Sequence, residues 1–403
     1  MKVLFLTLAN IDPNSNGLYM DLLRELRKQG HDVFVVYPNE KRMNGCTILS
    51  IEEDITYLRV KTGNITKTSF IEKGIATLMI EKQFISAIDY YYNDIVFDLV
   101  LYTTPPVTFE KVIRYIKEKT QCKSYLILKD IFPQNAADLE IIKKKGIIYK
   151  YFRIKEKKLY EISDYIGCTS KGNIEYIKRH NPEINTKKIE LFPNSILPRQ
   201  LENKTIDKKS LREKFGIPNS AVVFVYGGNI GRPQGIDFIK DVIKKADDKE
   251  NLFFMILGSG TDFDNLSKFI ADLNIKNVSI SQSVSNDEYW RLLSCCDVGL
   301  IFLDNRFTVP NTPARLTYYM EAALPILAAT DKNTDIDLIL EEANCGKWIE
   351  SGDVEGFYTQ IDLLMKNKEF REQLGSNGRE YMEKNLNVGI NCKTLLYHLG
   401  GTN

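Results

Sequence analysis

Short apolar runs of strand length, each followed by a stretch long enough for a helix, recur along the whole chain and leave few folds open to it. "KVLFLTL" leads into the helix-spaced "LYMDLLRELRKQG" and then into "DVFVVYP", which reads as one β-α-β unit. "DLVLYTTPP", "KSYLILKDIFP", "YIGCTS" and "KIELFPN" continue the plan, and "AVVFVYGG", "LFFMILGSG", "VSISQS", "VGLIFL" and "PILAAT" repeat it. Apolar strands alternating with helices predict an α/β chain with doubly wound parallel sheets. The chain has 403 residues, and single cores split beyond roughly 250 to 300 residues, so two Rossmann-like domains are expected. Residues 1–197 form the first. Residues 198–210, the end of the aperiodic "SILPRQLENKTIDKKS", suit a linker; residues 211–382 form the second, and 383–403 a terminal helix.

Composition narrows the function. Hydrophobic residues make up 43% and charged residues 27%, as in an ordinary globular protein. No apolar run approaches the ~18 residues of a membrane helix, and "MKVLFLTLANIDP" has no secretion-signal cleavage site, so a cytoplasmic protein is expected. Seven cysteines without a CxxC read as reduced core residues, and three scattered histidines give no metal site. "DID" at 335–337 resembles a metal motif by chance. Residues 1–200 carry 31 Lys+Arg against 24 Asp+Glu, while the remainder carries 23 against 29. The basic excess does not persist over a domain, which argues against a nucleic-acid partner. It gathers in "IIKKKGIIYKYFRIKEKKLY" (141–160).

Open α/β sheets bind ligands beyond the carboxyl ends of their strands. Those ends carry Gly17, Lys129 and Asp130 in the first half and Gly228, Asn229, Gly258, Gly260 and Gln282 in the second. "YGGNIGRPQGID" (226–237) has the strand, glycine turn and helix start of an anion grip, yet its spacing is neither a P-loop nor G-x-G-x-x-G. Thr312 followed by Pro313 predicts a helix start with threonine as cap. Arg315 then falls in the first turn, where the helix dipole disfavours a cation unless an anion shares the site. A plain surface arginine is the alternative.

The stretches "YGGNIGRPQGID", "LFFMILGSGTD", "VSISQSVSNDEYWRLLSCCDVGLIFL" and "PARLTYYMEAALPILA" resemble the donor half of family 4 retaining glycosyltransferases of the GT-B fold. "LKDIFPQNAADL" and "TPARLTYYMEAALPILAATD" are similar to the branch that builds capsule, exopolysaccharide and O-antigen repeat units, of the L-fucosamine transferase type. The resemblance spans nearly the whole chain and implies a central cleft and a last helix, "NGREYMEKNLNV", that crosses back to the first domain. It also implies a nucleotide-diphosphate sugar, UDP-linked, as co-substrate with no other cofactor and no metal, and a polyprenyl-diphosphate-linked saccharide as acceptor. The chain departs from the family at the diphosphate-binding pair, where Gly228 replaces arginine and Gln234 replaces lysine, leaving Arg232 to supply charge. It also lacks the Glu-x7-Glu pair, whose positions are Pro310 and Tyr318; Glu321 is either a substitute or structural. Asp130 lies near a place where the family often has a histidine or acid, which implies a role in turnover through the donor sugar or the acceptor hydroxyl; the alternative is a cap on the turn before Phe132-Pro133.

A lipid-linked acceptor implies work at the inner face of the cell membrane. Lys143, Lys144, Lys145 and Lys157 are then expected on an anionic surface, with Tyr149 and Phe152 inserting. The alternative is a helix whose Ile148, Phe152, Leu159 and Ile162 face a core. Two other functions share the architecture, a nucleotide-sugar 2-epimerase and a non-catalytic nucleotide-sugar-binding partner of another transferase.

Overall fold

A computed structural model describes residues 1–43, 45–65, 68, 70–199 and 208–400. The strands are β1 (Lys2–Leu6), β2 (Asp32–Glu40), β3 (Ile48–Glu52), β4 (Ile55–Thr62), β5 (Leu99–Thr103), β6 (Lys123–Leu128), β7 (Tyr165–Cys168) and β8 (Ile189–Leu191), then β9 (Val222–Asn229), β10 (Leu252–Ser259), β11 (Val278–Gln282), β12 (Val298–Phe302), β13 (Ile326–Thr330) and β14 (Gly346–Glu350). The helices are α1 (Leu18–Lys28), α2 (Phe70–Tyr91), α3 (Glu110–Thr120), α4 (Gln134–Asp138), α5 (Ile147–Ile162), α6 (Lys171–His180), α7 (Lys208–Lys214) and α8 (Ile236–Lys244), then α9 (Phe263–Leu273), α10 (Asn286–Leu293), α11 (Arg315–Glu321), α12 (Ile336–Glu342), α13 (Val354–Lys366), α14 (Lys368–Asn385) and α15 (Val388–Tyr397). The chain forms two compact units, residues 1–193 with 388–403, and residues 194–387.

The first unit holds an eight-stranded sheet in the order β3-β4-β2-β1-β5-β6-β7-β8, parallel except for the β3–β4 hairpin at its edge. Central strands such as β5, "LVLYT", are buried on both faces, which is why they read as unbroken apolar runs. Met20, Leu22, Leu23 and Leu26 of α1 join Val3, Phe5 and Val35 in one core. Val388, Cys392 and Leu395 of α15, spaced on one helical face, complete that core. Each such burial contributes about 1.5 to 3 kcal/mol.

The second unit holds a six-stranded parallel sheet in the order β11-β10-β9-β12-β13-β14. Ile236, Ile239 and Val242 of α8 and Phe357, Ile361 and Leu364 of α13 pack on Phe224, Leu300 and Phe302. Both sheets reverse winding direction once, at β1/β5 and at β9/β12, and a crevice opens at the carboxyl end of such a switch point.

Residues 200–207 of the expected linker lie outside the described residues. Its flanks are anchored, with Ile196 N donating to Leu386 O at 3.1 Å and Lys208 opening α7. β3, β4 and β14 were not among the expected strands. The turn joining β3 to β4 places Glu53 and Asp54 at φ +50° and +57°, the hairpin geometry that normally selects Asn-Gly.

Candidate functional site

In the second unit the site grows from the end of β9. Gly228, Gly258 and Gln282 stand in register across β9, β10 and β11 at the carboxyl edge of the sheet. Gly227 must be glycine, since a Cβ there would lie 2.0 Å from the Tyr289 hydroxyl. At Gly228, φ is +135° and a Cβ would sit 3.0 Å from Nη2 of Arg315, so the missing side chain makes room for a guanidinium. Gly258 and Gly260 serve loop packing, because Cβ atoms there would meet the carbonyls of Gly228 and Ile230 at 1.9 and 2.1 Å.

Arg315 is half-buried, with its Cζ 4.3 Å from the ring centroid of Tyr226. Tyr226 is itself fixed, its hydroxyl donating to Asn229 O at 2.5 Å. Gly227 N donates to the Tyr319 hydroxyl at 3.1 Å, and that hydroxyl donates to Val225 O at 3.1 Å. One guanidinium nitrogen of Arg315, Nη1, is buried with no hydrogen-bond partner. A buried cation with an unfilled donor is costly alone and suited to receive an anionic oxygen. Arg232 is exposed on a 3-10 turn (Arg232–Gln234). The Asn229 amide donates to Gln234 Oε1 at 2.8 Å, so this pair shapes the loop.

Two expectations are corrected on α11. Thr312 does not cap a helix: α11 begins at Arg315 after Ala314, and the Thr312 hydroxyl is buried without a partner. Asn194 is the reason, since its amide donates to Thr312 O at 2.8 Å and its carbonyl accepts from the Thr317 hydroxyl at 3.0 Å. That clasp holds residue 312 out of the helix. Glu321 is not offered to a ligand: it is 2% exposed and its Oε1 accepts from Arg199 N at 3.0 Å. Tyr318 is half-buried on α11.

In the first unit the hydroxyls of Thr7 and Thr103 lie 3.0 Å apart at the ends of β1 and β5. The Thr104 hydroxyl accepts from Lys129 N and Asp130 N at 3.1 and 3.3 Å, which places both residues at the end of β6. Burial pushes the Asp130 carboxyl up to about 6, against the pull of Lys129, and pushes the Lys129 ammonium down to about 8. Burial also drives the Tyr19 phenol up to about 12, with Asp130 adding to the rise. The turn after Asp130 closes by main-chain bonds, Asn135 N to Ile131 O at 3.0 Å. Among the described residues the Asp130 carboxylate takes no part in those main-chain bonds. Gly17 precedes α1 at φ +146°, and its N donates to Asp21 Oδ1 at 3.2 Å.

The basic segment forms a tight turn and then α5. Tyr149 is not free to insert, since its hydroxyl donates to Gln134 Oε1 at 2.7 Å. Phe152 packs edge-on against Phe132 with centroids 4.9 Å apart, and Lys157 pairs with Glu183 at 2.8 Å. Lys143, Lys144 and Lys145 are exposed. Sequence reasoning missed the Tyr226–Arg315 stack and the Asn194 clasp, both of which join residues far apart in the chain.

Residues 207–381 match the family described as glycosyl transferases group 1. The chain is 22% identical to the "Probable glycosyltransferase WbjE" of Pseudomonas aeruginosa over 346 residues, covering 83% of this chain and 81% of that one. It is 24% identical to the "Putative colanic acid biosynthesis glycosyl transferase WcaI" of Escherichia coli K12, over 37% of each. Among solved structures, Anabaena HepE in complex with UDP and glucose superposes with a TM-score of 0.71 at 14% identity, over 99% of both chains. The fold is thus of the GT-B class, with two Rossmann-like α/β units.

Proposed function

With residues 207–381 matching the glycosyl transferases group 1 family, we propose that the protein is a retaining glycosyltransferase. It takes a sugar from a nucleotide-diphosphate donor, UDP-linked, and adds it to a polyprenyl-diphosphate-linked saccharide during polysaccharide assembly. The names of the WbjE and WcaI relatives and the UDP in the HepE complex support this reading. The observation that carries it is the buried, unpartnered Nη1 of Arg315, stacked on Tyr226 beside the bare Cα of Gly228.

The chemistry requires that the leaving diphosphate be stabilised as the glycosidic bond breaks. Preorganised donors in a dry site do this by electrostatics. Family members place an arginine and a lysine at the positions of Gly228 and Gln234. In this chain Arg315 supplies the charge from α11, and Gly228 leaves room for it. The acceptor hydroxyl attacks on the leaving-group face, so no protein nucleophile is required. Asp130 serves turnover by orienting the acceptor hydroxyl or the transferred sugar.

Calorimetric titration with UDP and UMP tests the proposal. Charge-assisted hydrogen bonds contribute about 1.5 to 3 kcal/mol, so Arg315→Ala should weaken UDP roughly 10- to 150-fold and UMP less. Arg315→Lys should recover part, because an ammonium keeps the charge and loses the planar fork. An alanine variant that binds both nucleotides as the parent does would move the diphosphate site elsewhere.

A further inference from the structure

Helix α5 has two apolar faces, and only one is used. Leu159 and Tyr160 are buried, Phe152 stacks on Phe132, and Glu156 accepts from Arg153 at 2.6 Å and from the Tyr160 hydroxyl at 2.7 Å. On the opposite side Ile147 is 88%, Ile154 55% and Tyr151 39% exposed. Ile147, Tyr151, Ile154 and Lys158 follow one another at steps of four, three and four residues, so they share one stripe of the helix. The core does not need this stripe.

Its border is cationic. Lys143, Lys144, Lys145, Lys150 and Lys158 are exposed, and none forms an ion pair among the described residues. The first three lie in the turn closed by Gly146 N to Lys143 O at 2.9 Å, just before the first residue of α5. The positive end of the helix dipole disfavours lysines there, so folding gains nothing from that placement. An anionic surface against the stripe would gain both the aliphatic burial and the charge.

We infer that the outer face of α5 docks this protein on an anionic lipid surface, with Ile147, Tyr151 and Ile154 entering the acyl boundary and the lysines meeting headgroups. A second copy of the chain is a poor occupant, because a self-complementary contact on this face would set lysines against lysines. The inference does not depend on the donor chemistry proposed above and holds whichever sugar is moved. It replaces the inserting residues expected from sequence, Tyr149 and Phe152, with the stripe that the fold leaves uncovered.

The test is flotation of the full chain with vesicles of phosphatidylglycerol and phosphatidylcholine in equal parts, beside vesicles of phosphatidylcholine alone. Co-flotation with the anionic vesicles only, reversed by salt, is the expected result. The triple variant Ile147→Ser, Tyr151→Ser, Ile154→Ser should abolish it. The quadruple variant Lys143→Gln, Lys144→Gln, Lys145→Gln, Lys150→Gln should weaken partitioning at least about tenfold. Both variants replace exposed side chains and should keep the parent melting temperature and UDP affinity, which separates this test from that of the donor site. Equal binding to both vesicle types, parent-level binding by either variant, or a dimer in sedimentation that the serine variant dissociates would overturn the inference.

Discussion

The carboxyl ends of the two sheets hold opposite kinds of charge chemistry. At the end of β9 stands an arginine, ionised at every accessible pH and held by an aromatic face with Cζ 4.3 Å from the ring. At the end of β6 stand a carboxyl raised to about 6 and an ammonium lowered to about 8. A fixed charge on a rigid platform suits binding a group whose charge does not change. Groups poised near neutrality suit a step in which protons or hydroxyls must be handled. On the reading proposed above, affinity belongs to the second unit and turnover to the first, and that division can be broken.

The largest expected effect is at Asp130. If the carboxylate takes part in the transfer step, Asp130→Asn should lower the rate roughly 10²- to 10⁴-fold while UDP affinity stays within a few fold. Because burial raises this group, its ionised form is lost as pH falls through about 6. The parent rate should decline across that range, and the asparagine variant should lose the inflection. Equal loss of rate and UDP affinity would erase the division between the two ends.

Next comes Gly228. Alanine there would adopt φ +135° and bring a Cβ to 3.0 Å from Arg315 Nη2. A strained backbone of this kind costs on the order of 1 to 3 kcal/mol, so Gly228→Ala should lower the melting temperature by several degrees. UDP binding should weaken as the guanidinium is pushed off its seat. A stable alanine variant that binds UDP normally would show that Arg315 does not need the space.

How far the sequence revealed these two ends follows from the range of the interactions that build them. The strand runs and the glycines of "YGGN" were legible because strand burial and backbone approach leave local marks. Lys129 and Asp130 were legible as the residues after an apolar strand. The start of α11 was not: "TP" promised a cap at Thr312, but Asn194, 118 residues away, takes the Thr312 carbonyl and moves the start to Arg315. Glu321 looked available from its spacing, and only the structure shows its carboxylate bonded to Arg199 N. The hairpin of β3 and β4 was hidden by its turn, because Glu53-Asp54 adopts positive φ without the residues that usually announce it. On α5 the sequence located the apolar and basic character but could not say which apolar face the core had taken.

The finest test concerns Tyr226, whose ring is the seat of Arg315. If the seat matters, the benzene face carries the effect and the hydroxyl, which donates to Asn229 O at 2.5 Å, is secondary. Cation–π contacts contribute about 0.5 to 2 kcal/mol, so Tyr226→Leu should weaken UDP about 2- to 30-fold. Tyr226→Phe, which keeps the ring, should remain close to the parent. A loss of packing alone would affect the leucine variant's melting temperature and bind UDP and UMP in the parent's ratio. Displacement of Arg315 would instead narrow the UDP-to-UMP preference, because the monophosphate lacks the oxygens the guanidinium reaches. Combining Tyr226→Leu with Arg315→Ala then decides the matter: if the ring acts only through the arginine, the double variant should bind UDP no worse than Arg315→Ala by itself. Full additivity would mean that ring and guanidinium act separately, and the second unit's end would lose the preorganisation that sets it apart from the first.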